Sequence, residues 1–206
     1  MTEQTTSGRV NQKLRTHRAI VAAAAELSRT GREVTMPEIA KAALVSEATA
    51  YRYFPDLASL LKEAIAGQLP TPAEALKSVE GSEDPEERVA AAAEFLLRHV
   101  LARQGVVRAM IAATVAHPGP AARPGLRFGL IEDALAPLAA THDPDSPALT
   151  QLHRSLAVVV SAEALFTLID LAGLDPEDAI ASAVSTAATL TRAFVQENPG
   201  RRKRKK

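Results

Sequence analysis

No cysteine occurs among the 206 residues, which excludes a disulfide framework and any thiolate metal site and fits a reducing compartment. Aromatic residues make up only 3% of the chain, and runs in which β-branched residues alternate with polar ones are scarce. With alanine abundant, the composition points to an all-α fold. No apolar run reaches membrane-spanning length free of charges, and the opening MTEQTTSGRV has no signal-peptide apolar core. The expected location is cytoplasmic.

The marks of chemistry are also missing. The five histidines, at 17, 99, 117, 142 and 153, include no close pair at metal-ligand spacing. His99 and His153 read as helix-packing or pocket residues instead. No glycine-rich phosphate cradle and no nucleophile elbow occurs. Glu86-Glu87 and Glu132-Asp133 are paired only along the chain, because adjacent helical residues point apart. No enzyme is expected, and no cofactor or metal.

A net charge of zero conceals a partition. Residues 1–54 hold eight Lys/Arg against five Asp/Glu, a surplus of +3, whereas residues 69–200 hold nine against seventeen, or −8. Residues 55–68 contribute −1 and the closing RRKRKK +6. Basic ends around an acidic middle are what a DNA-facing domain on an acidic body requires. The length allows one or two domains with a sizeable core.

What is present concentrates between Thr35 and Phe54, TMPEIAKAALVSEATAYRYF. Thr35 followed three residues later by Glu38 is a capping box. Pro37 is tolerated there because first-turn N–H groups have no intrahelical partner. Ile39, Ala40 and Ala43 give a short apolar face. Ser46 is a second N-cap, opening a helix from Glu47 to Tyr53, and Pro55 disfavours a helical Phe54. Two such helices with a three- or four-residue turn form a helix-turn-helix, whose second helix can lie in the DNA major groove. Ala48 permits close backbone approach and Thr49 can contact a base edge or phosphate. Arg52 is a charge-assisted donor, and the phenols of Tyr51 and Tyr53 can reach phosphate oxygens. Phe54 reads as a core aromatic, and Tyr51 reads equally as core or as a DNA contact.

Arg18, Ile20, Gly31, Thr35, Ile39, Ala40, Ala43, Val45, Ser46, Ala48, Thr49, Tyr51, Tyr53 and Phe54 follow one another at a familiar spacing. On these residues the segment 15–61 resembles the DNA-binding domain of the TetR family of bacterial transcription regulators. The resemblance implies an operator in double-stranded DNA, a homodimer and a small-molecule effector of unknown identity. Carried over by position, the DNA-binding residues are Lys13, Arg15, Thr35, Ser46, Glu47, Ala48, Thr49, Tyr51, Arg52 and Tyr53. Lys13 and Arg15 read otherwise as a solvated helix start. Two residues depart from the pattern. Leu44 stands where the family usually has Gly, so a left-handed turn would cost on the order of 1 kcal/mol and a different shape is expected. Leu57 stands where the family's Lys meets a phosphate, which leaves only backbone N–H groups near Asp56 to Ala58 for that contact.

The expected organisation is a disordered arm at 1–11, a three-helix helix-turn-helix DNA-binding domain at 12–55 and a linking helix at 56–69. A helical ligand-binding and dimerisation domain at 70–198 and a basic disordered tail at 199–206 follow. Ile20, Ala24 and Leu27 give the first helix its stripe, and Gly31 caps it. LPTPAE reads as a break and GSEDPEE as an acidic loop. Asp84-Pro85, Ser146-Pro147 and Asp175-Pro176 are cap-plus-proline helix starts. Gly105 marks a break before a helix at 106–116, HPGPAARPG is a loop, and a helix over 126–140 kinks at Pro137.

Residues 156–171 are apolar almost all round, which predicts a helix buried on two sides. With the small residues of the last helix it forms half of a four-helix dimer seam through Val158, Ala162, Leu165, Ile169, Ala183, Ala187, Leu190 and Phe194. A monomeric bundle core is the alternative. Glu163, Thr167 and Asp170 share one stripe that lines a ligand pocket or is the helix's wet edge. Arg103, Arg108, Phe128, Glu132 and Phe166 are further pocket candidates. The function expected is a homodimeric repressor released from its operator by a small molecule. The alternatives are a helical small-molecule-binding or scaffolding protein whose helix-turn-helix has lost specific DNA binding, and a nucleoid binder acting through its basic tail.

Overall fold

The computed structural model describes residues 3–31, 34–66, 70–116, 125–143 and 145–199. Among these, all regular structure is helical, as the composition requires. In chain order the helices are α1 (Glu3–Ser28), α2 (Met36–Ala42), α3 (Glu47–Tyr53), α4 (Leu57–Ala66), α5 (Pro72–Ala75) and α6 (Pro85–Ala102). There follow α7 (Gln104–Ala116), α8 (Leu126–Ala134), α9 (Ala136–Ala139), α10 (Pro147–Val159), α11 (Ala162–Phe166) and α12 (Pro176–Glu197). The chain divides into two compact units, residues 1–69 with 102–124 and residues 70–101 with 125–206. No single described helix is long and apolar enough to cross a membrane. Most of HPGPAARPG and all of RRKRKK lie outside the described residues.

In the first unit α1 begins at Glu3 and so runs through the polar residues expected to be irregular. No proline precedes Pro37, and extending a helix is far easier than starting one. Its buried stripe begins at Ile20 and continues at Ala24 and Ser28, whereas Val10 and Leu14 are exposed. Gly31, at φ +69, turns the chain after it. Then α2 packs on α1, α3 on α2, and α4 against both α1 and α7. Ile20, Ile39, Ala50, Phe54, Leu61 and Ile65 meet Val106 and Met110 of α7 in one apolar cluster. Each fully buried Ile or Leu there stabilises the unit by about 1.5–3 kcal/mol.

In the second unit the proline-led starts at Pro85, Pro147 and Pro176 stand where expected. Asp84 Oδ1 accepts from the Glu86 N–H at 2.9 Å. The segment LPTPAE is a correction. Thr71-Pro72-Ala73-Glu74 is a second capping box, with the Thr71 N–H donating to Glu74 at 2.7 Å, and it opens the one-turn helix α5. Hydrogen bonds from Thr71 hold the Glu74 carboxyl below its ordinary range. The helix expected over 126–140 is interrupted at Leu135, and Pro137 falls in the first turn of α9. Arg88 of α6 donates to the carbonyls of Asp133, at 2.8 Å, and Ala134, at 3.2 Å. It thereby satisfies the carbonyls that the end of α8 leaves open.

The largest departure lies at residues 156–171. Instead of one helix, α10 ends at Val159, and Val160 (ψ 68) and Ser161 (φ −147, ψ 154) turn the chain. Ser161 Oγ accepts from the Ala164 N–H at 3.0 Å and so caps α11. From Thr167 to Leu171 the chain winds as a π-helix, closed by Ala172 N–H to Thr167 O at 3.1 Å. Leu156, Leu165 and Phe166 are buried, but Val158 and Leu171 are exposed, so the segment is not buried on two sides within one chain. Against it packs α12, burying Ala179, Ile180, Ala183, Ala187, Thr191 and Phe194. Ion pairs Arg98–Glu177, at 2.9 Å, and Arg192–Glu86 join α12 to α6, and Arg192 holds the Glu86 carboxyl below its ordinary range.

Candidate nucleic-acid interface

The geometry of the turn between α2 and α3 decides how α3 is presented. The capping box at Thr35 forms in full: Thr35 N–H donates to Glu38 Oε2 at 3.1 Å, and the Glu38 N–H reaches Thr35 Oγ1 at 3.5 Å. At the other end of α2, Leu44 N–H donates to Lys41 O at 3.2 Å and Val45 N–H to Ala40 O at 2.9 Å. This pair of bonds is the signature of a helix ended by a left-handed residue. Leu44 supplies that residue, at φ +56. The turn therefore keeps the shape glycine would give it, contrary to the expectation of a different one. Val45 packs on the core beside Ala40, while the Leu44 side chain stands 93% exposed.

Ser46 then caps α3, its Oγ accepting from the Thr49 N–H at 3.2 Å. Seven residues make two turns, and the side chains separate cleanly. Ala50 and Phe54 face the core; Glu47, Ala48, Tyr51 and Arg52 are exposed, and Thr49 and Tyr53 lie half-buried on the flanks. Tyr51 is 47% exposed, so of its two readings the core one is excluded. The Arg52 guanidinium lies 5.8 Å from the centroid of the Tyr53 ring, an attraction that restrains it.

His17 belongs to this assembly although the sequence reading gave it no role. Its ring lies 4.9 Å from that of Phe54 and 6.2 Å from that of Tyr53, and its Nε2 is 3.6 Å from a Glu63 carboxylate oxygen. It thus ties α1 to the end of α3 and to α4. The signal was its position three residues before Ile20, on the same stripe. Lys13 and Arg15 are exposed on α1, and Thr35 is half-buried at the start of α2. At α4, Asp56 Oδ1 accepts from the Ser59 N–H at 2.7 Å, and Leu57 packs against the core.

The residues expected to act in the rest of the chain fall in both units. Arg103 lies in the first unit, half-buried. The Phe128 side chain is outside the described residues. Phe166 is buried in the core of the second unit. Glu163 pairs with Arg127 at 3.2 Å, while the Thr167 hydroxyl donates to Glu163 O at 2.8 Å and Asp170 is exposed. Because the π-helix starts at Thr167, α spacing no longer aligns these three as a stripe. Glu132 does line a cavity of about 540 Å³, with Leu135, Ala139, Leu149, Thr150, His153, Arg154 and Ala157.

Of the residues expected at a seam between copies, Leu165, Ala183, Ala187 and Phe194 are buried within the unit itself. Their small or apolar side chains fill the chain's own packing, which corrects their assignment to a surface. Val158 is 72% exposed, and Ala162, Ile169 and Leu190 are half-buried.

Comparison with known proteins agrees with this geometry. The family described as bacterial regulatory proteins, tetR family, matches residues 19–64, which run from α1 through most of α4. A TetR transcriptional regulator from Rhodococcus sp. RHA1 has a similar fold, with a TM-score of 0.56 at 22% identity over 87% of this chain and 97% of that one. A Rhodococcus sp. protein described as a TetR-family transcriptional regulator gives 0.54 at 19% identity, over 85% and 98%. At these identities the likeness is one of fold. No curated protein matches the chain. With α2 and α3 capped and joined as a helix-turn-helix and α3's polar face turned outward, residues 19–64 form a domain that matches the tetR family of bacterial regulatory proteins.

Proposed function

We propose that this transcription regulator is a homodimeric repressor that leaves its operator when a small molecule occupies its second unit. The observation that carries the reading is the exposed face of α3. Ala48, Tyr51 and Arg52 stand outward on a helix whose opposite side, Ala50 and Phe54, is anchored in the core. A small residue flanked by a phenol and a guanidinium suits a helix that enters the major groove and grips its rim. The left-handed Leu44 removes one argument for a helix-turn-helix that has lost its function, because the departure leaves the turn geometry intact. With Leu57 turned to the core, the phosphate grip falls to Lys13, Arg15 and the polar groups of α2 and α3.

Two copies related by a twofold axis would present two α3 helices to successive major grooves, roughly 34–36 Å apart. A ligand that favours another spacing shifts the population away from the DNA-bound form, and DNA weakens ligand binding by the same factor. Fluorescence-anisotropy titration against DNA upstream of the chain's own gene, at two salt concentrations, tests this. Tight binding that survives nonspecific competitor is expected, falling with salt by a slope of about 0.9 per phosphate neutralised. Weak binding indifferent to sequence would instead favour the scaffold or the tail-driven binder.

A further inference from the structure

The cavity formed by α8, α9 and α10 has a chemistry that narrows its occupant. Its volume of about 540 Å³ lies in the range of small-molecule sites. Leu135, Ala139, Leu149 and Ala157 form its apolar wall, and Glu132, Thr150, His153 and Arg154 supply its polar groups. Apart from the His153 imidazole, no lining side chain is aromatic, so a planar ring finds little to stack on.

Arg154 differs from the other described arginines of the second unit. Arg88 is bound to backbone carbonyls, Arg98 to Glu94 and Glu177, Arg127 to Glu163, and Arg192 to Glu86. Among the described residues, Arg154 makes no hydrogen bond or ion pair, and neither do Glu132 and His153, although all three border the same cavity. A guanidinium beside an apolar wall and without a carboxylate of its own is a fork for a planar anion. Glu132, on the facing helix, would repel a second negative group and so select against a doubly charged ligand.

We propose that this cavity binds an aliphatic monocarboxylate, with its acid group on Arg154 and its chain against Leu135, Ala139, Leu149 and Ala157. The proposal rests on the second unit being the effector domain, and it names the class of effector.

Isothermal titration calorimetry of the full-length protein without DNA tests it, using octanoate, octan-1-ol, octylammonium and octanedioate. Octanoate is expected to bind most tightly, with the alcohol, the ammonium and the diacid weaker by roughly tenfold or more. Arg154→Gln should weaken octanoate by the same factor and leave octan-1-ol unchanged. As Arg154 is exposed, its thermal melt should match the parent's. Ala157→Trp should block all four by filling the cavity, and Glu132→Gln should admit octanedioate. Absence of octanoate binding, equal binding of all four probes, or octanoate binding unmoved by Arg154→Gln would overturn the proposal. An operator titration run alongside separates the two levels. Operator binding intact with octanoate silent sinks the ligand class alone, whereas octanoate binding through Arg154 without specific DNA binding upholds the site and sinks the regulator.

Discussion

Leu44 holds a left-handed conformation, φ +56, with a side chain that is 93% exposed. Nothing buried offsets the clash between its Cβ and the neighbouring carbonyl, which costs on the order of 1 kcal/mol. Leu44→Gly is therefore expected to stabilise the protein by about 1 kcal/mol, seen as a higher urea midpoint at unchanged slope. A lower midpoint would mean that the side chain has a contact this geometry does not contain. The sequence identifies this position as a departure from the family pattern, but not its consequence. That depends on two hydrogen bonds, from Leu44 and Val45 back to α2, which hold the backbone in place whatever the side chain. For His17 the sequence marks only its place on the stripe with Ile20; its partners Phe54 and Glu63 are distant in sequence, and only the packing of α1 with the end of α3 and with α4 brings them to it.

Local signals explain which elements could be read from the sequence. The boxes and caps at Thr35, Ser46 and Asp84 involve residues two or three apart, so spelling alone predicts them. Ser46 Oγ serves the first turn of a helix only seven residues long. Ser46→Ala is expected to reduce stability by about 1 kcal/mol, measured by urea unfolding, and to weaken operator binding because α3 frays; an unchanged midpoint would show the cap to be dispensable. The break at Ser161 was hidden because an apolar run masks a cap inside it, and a π turn leaves no mark in hydrophobic periodicity. Two ionisable contacts add a pH dependence whose sign is fixed. The Glu74 and Glu86 carboxyls are held below their ordinary range by Thr71 and Arg192. Their stabilisation is present above the ordinary glutamate range and is lost as acid passes below it.

For the whole molecule, the division of charge between a basic N-terminal segment and an acidic middle was legible from composition, and so was the helical class. The packing of residues 156–171 was not, because an apolar all-round helix does not reveal which side its own chain covers. The second unit buries Leu165 and Phe194 and leaves Val158 72% exposed. If two copies meet on that side, Val158→Arg places a charge in the seam, and analytical ultracentrifugation should find a monomer with an unchanged helical spectrum. An unaltered dimer would move the interface elsewhere.

One measurement tests most directly whether α3 reads DNA with its outward face. Anisotropy titrations of the parent, Arg52→Ala and Tyr51→Phe would be run against the operator and against an unrelated duplex of equal length. The expected result is specific affinity lower by roughly tenfold or more for Arg52→Ala, and reduced for Tyr51→Phe, with both proteins as stable as the parent. The unrelated duplex should respond far less. Equal operator affinity for the parent and both variants would contradict the account, because α3 would then not be the element that reads the sequence.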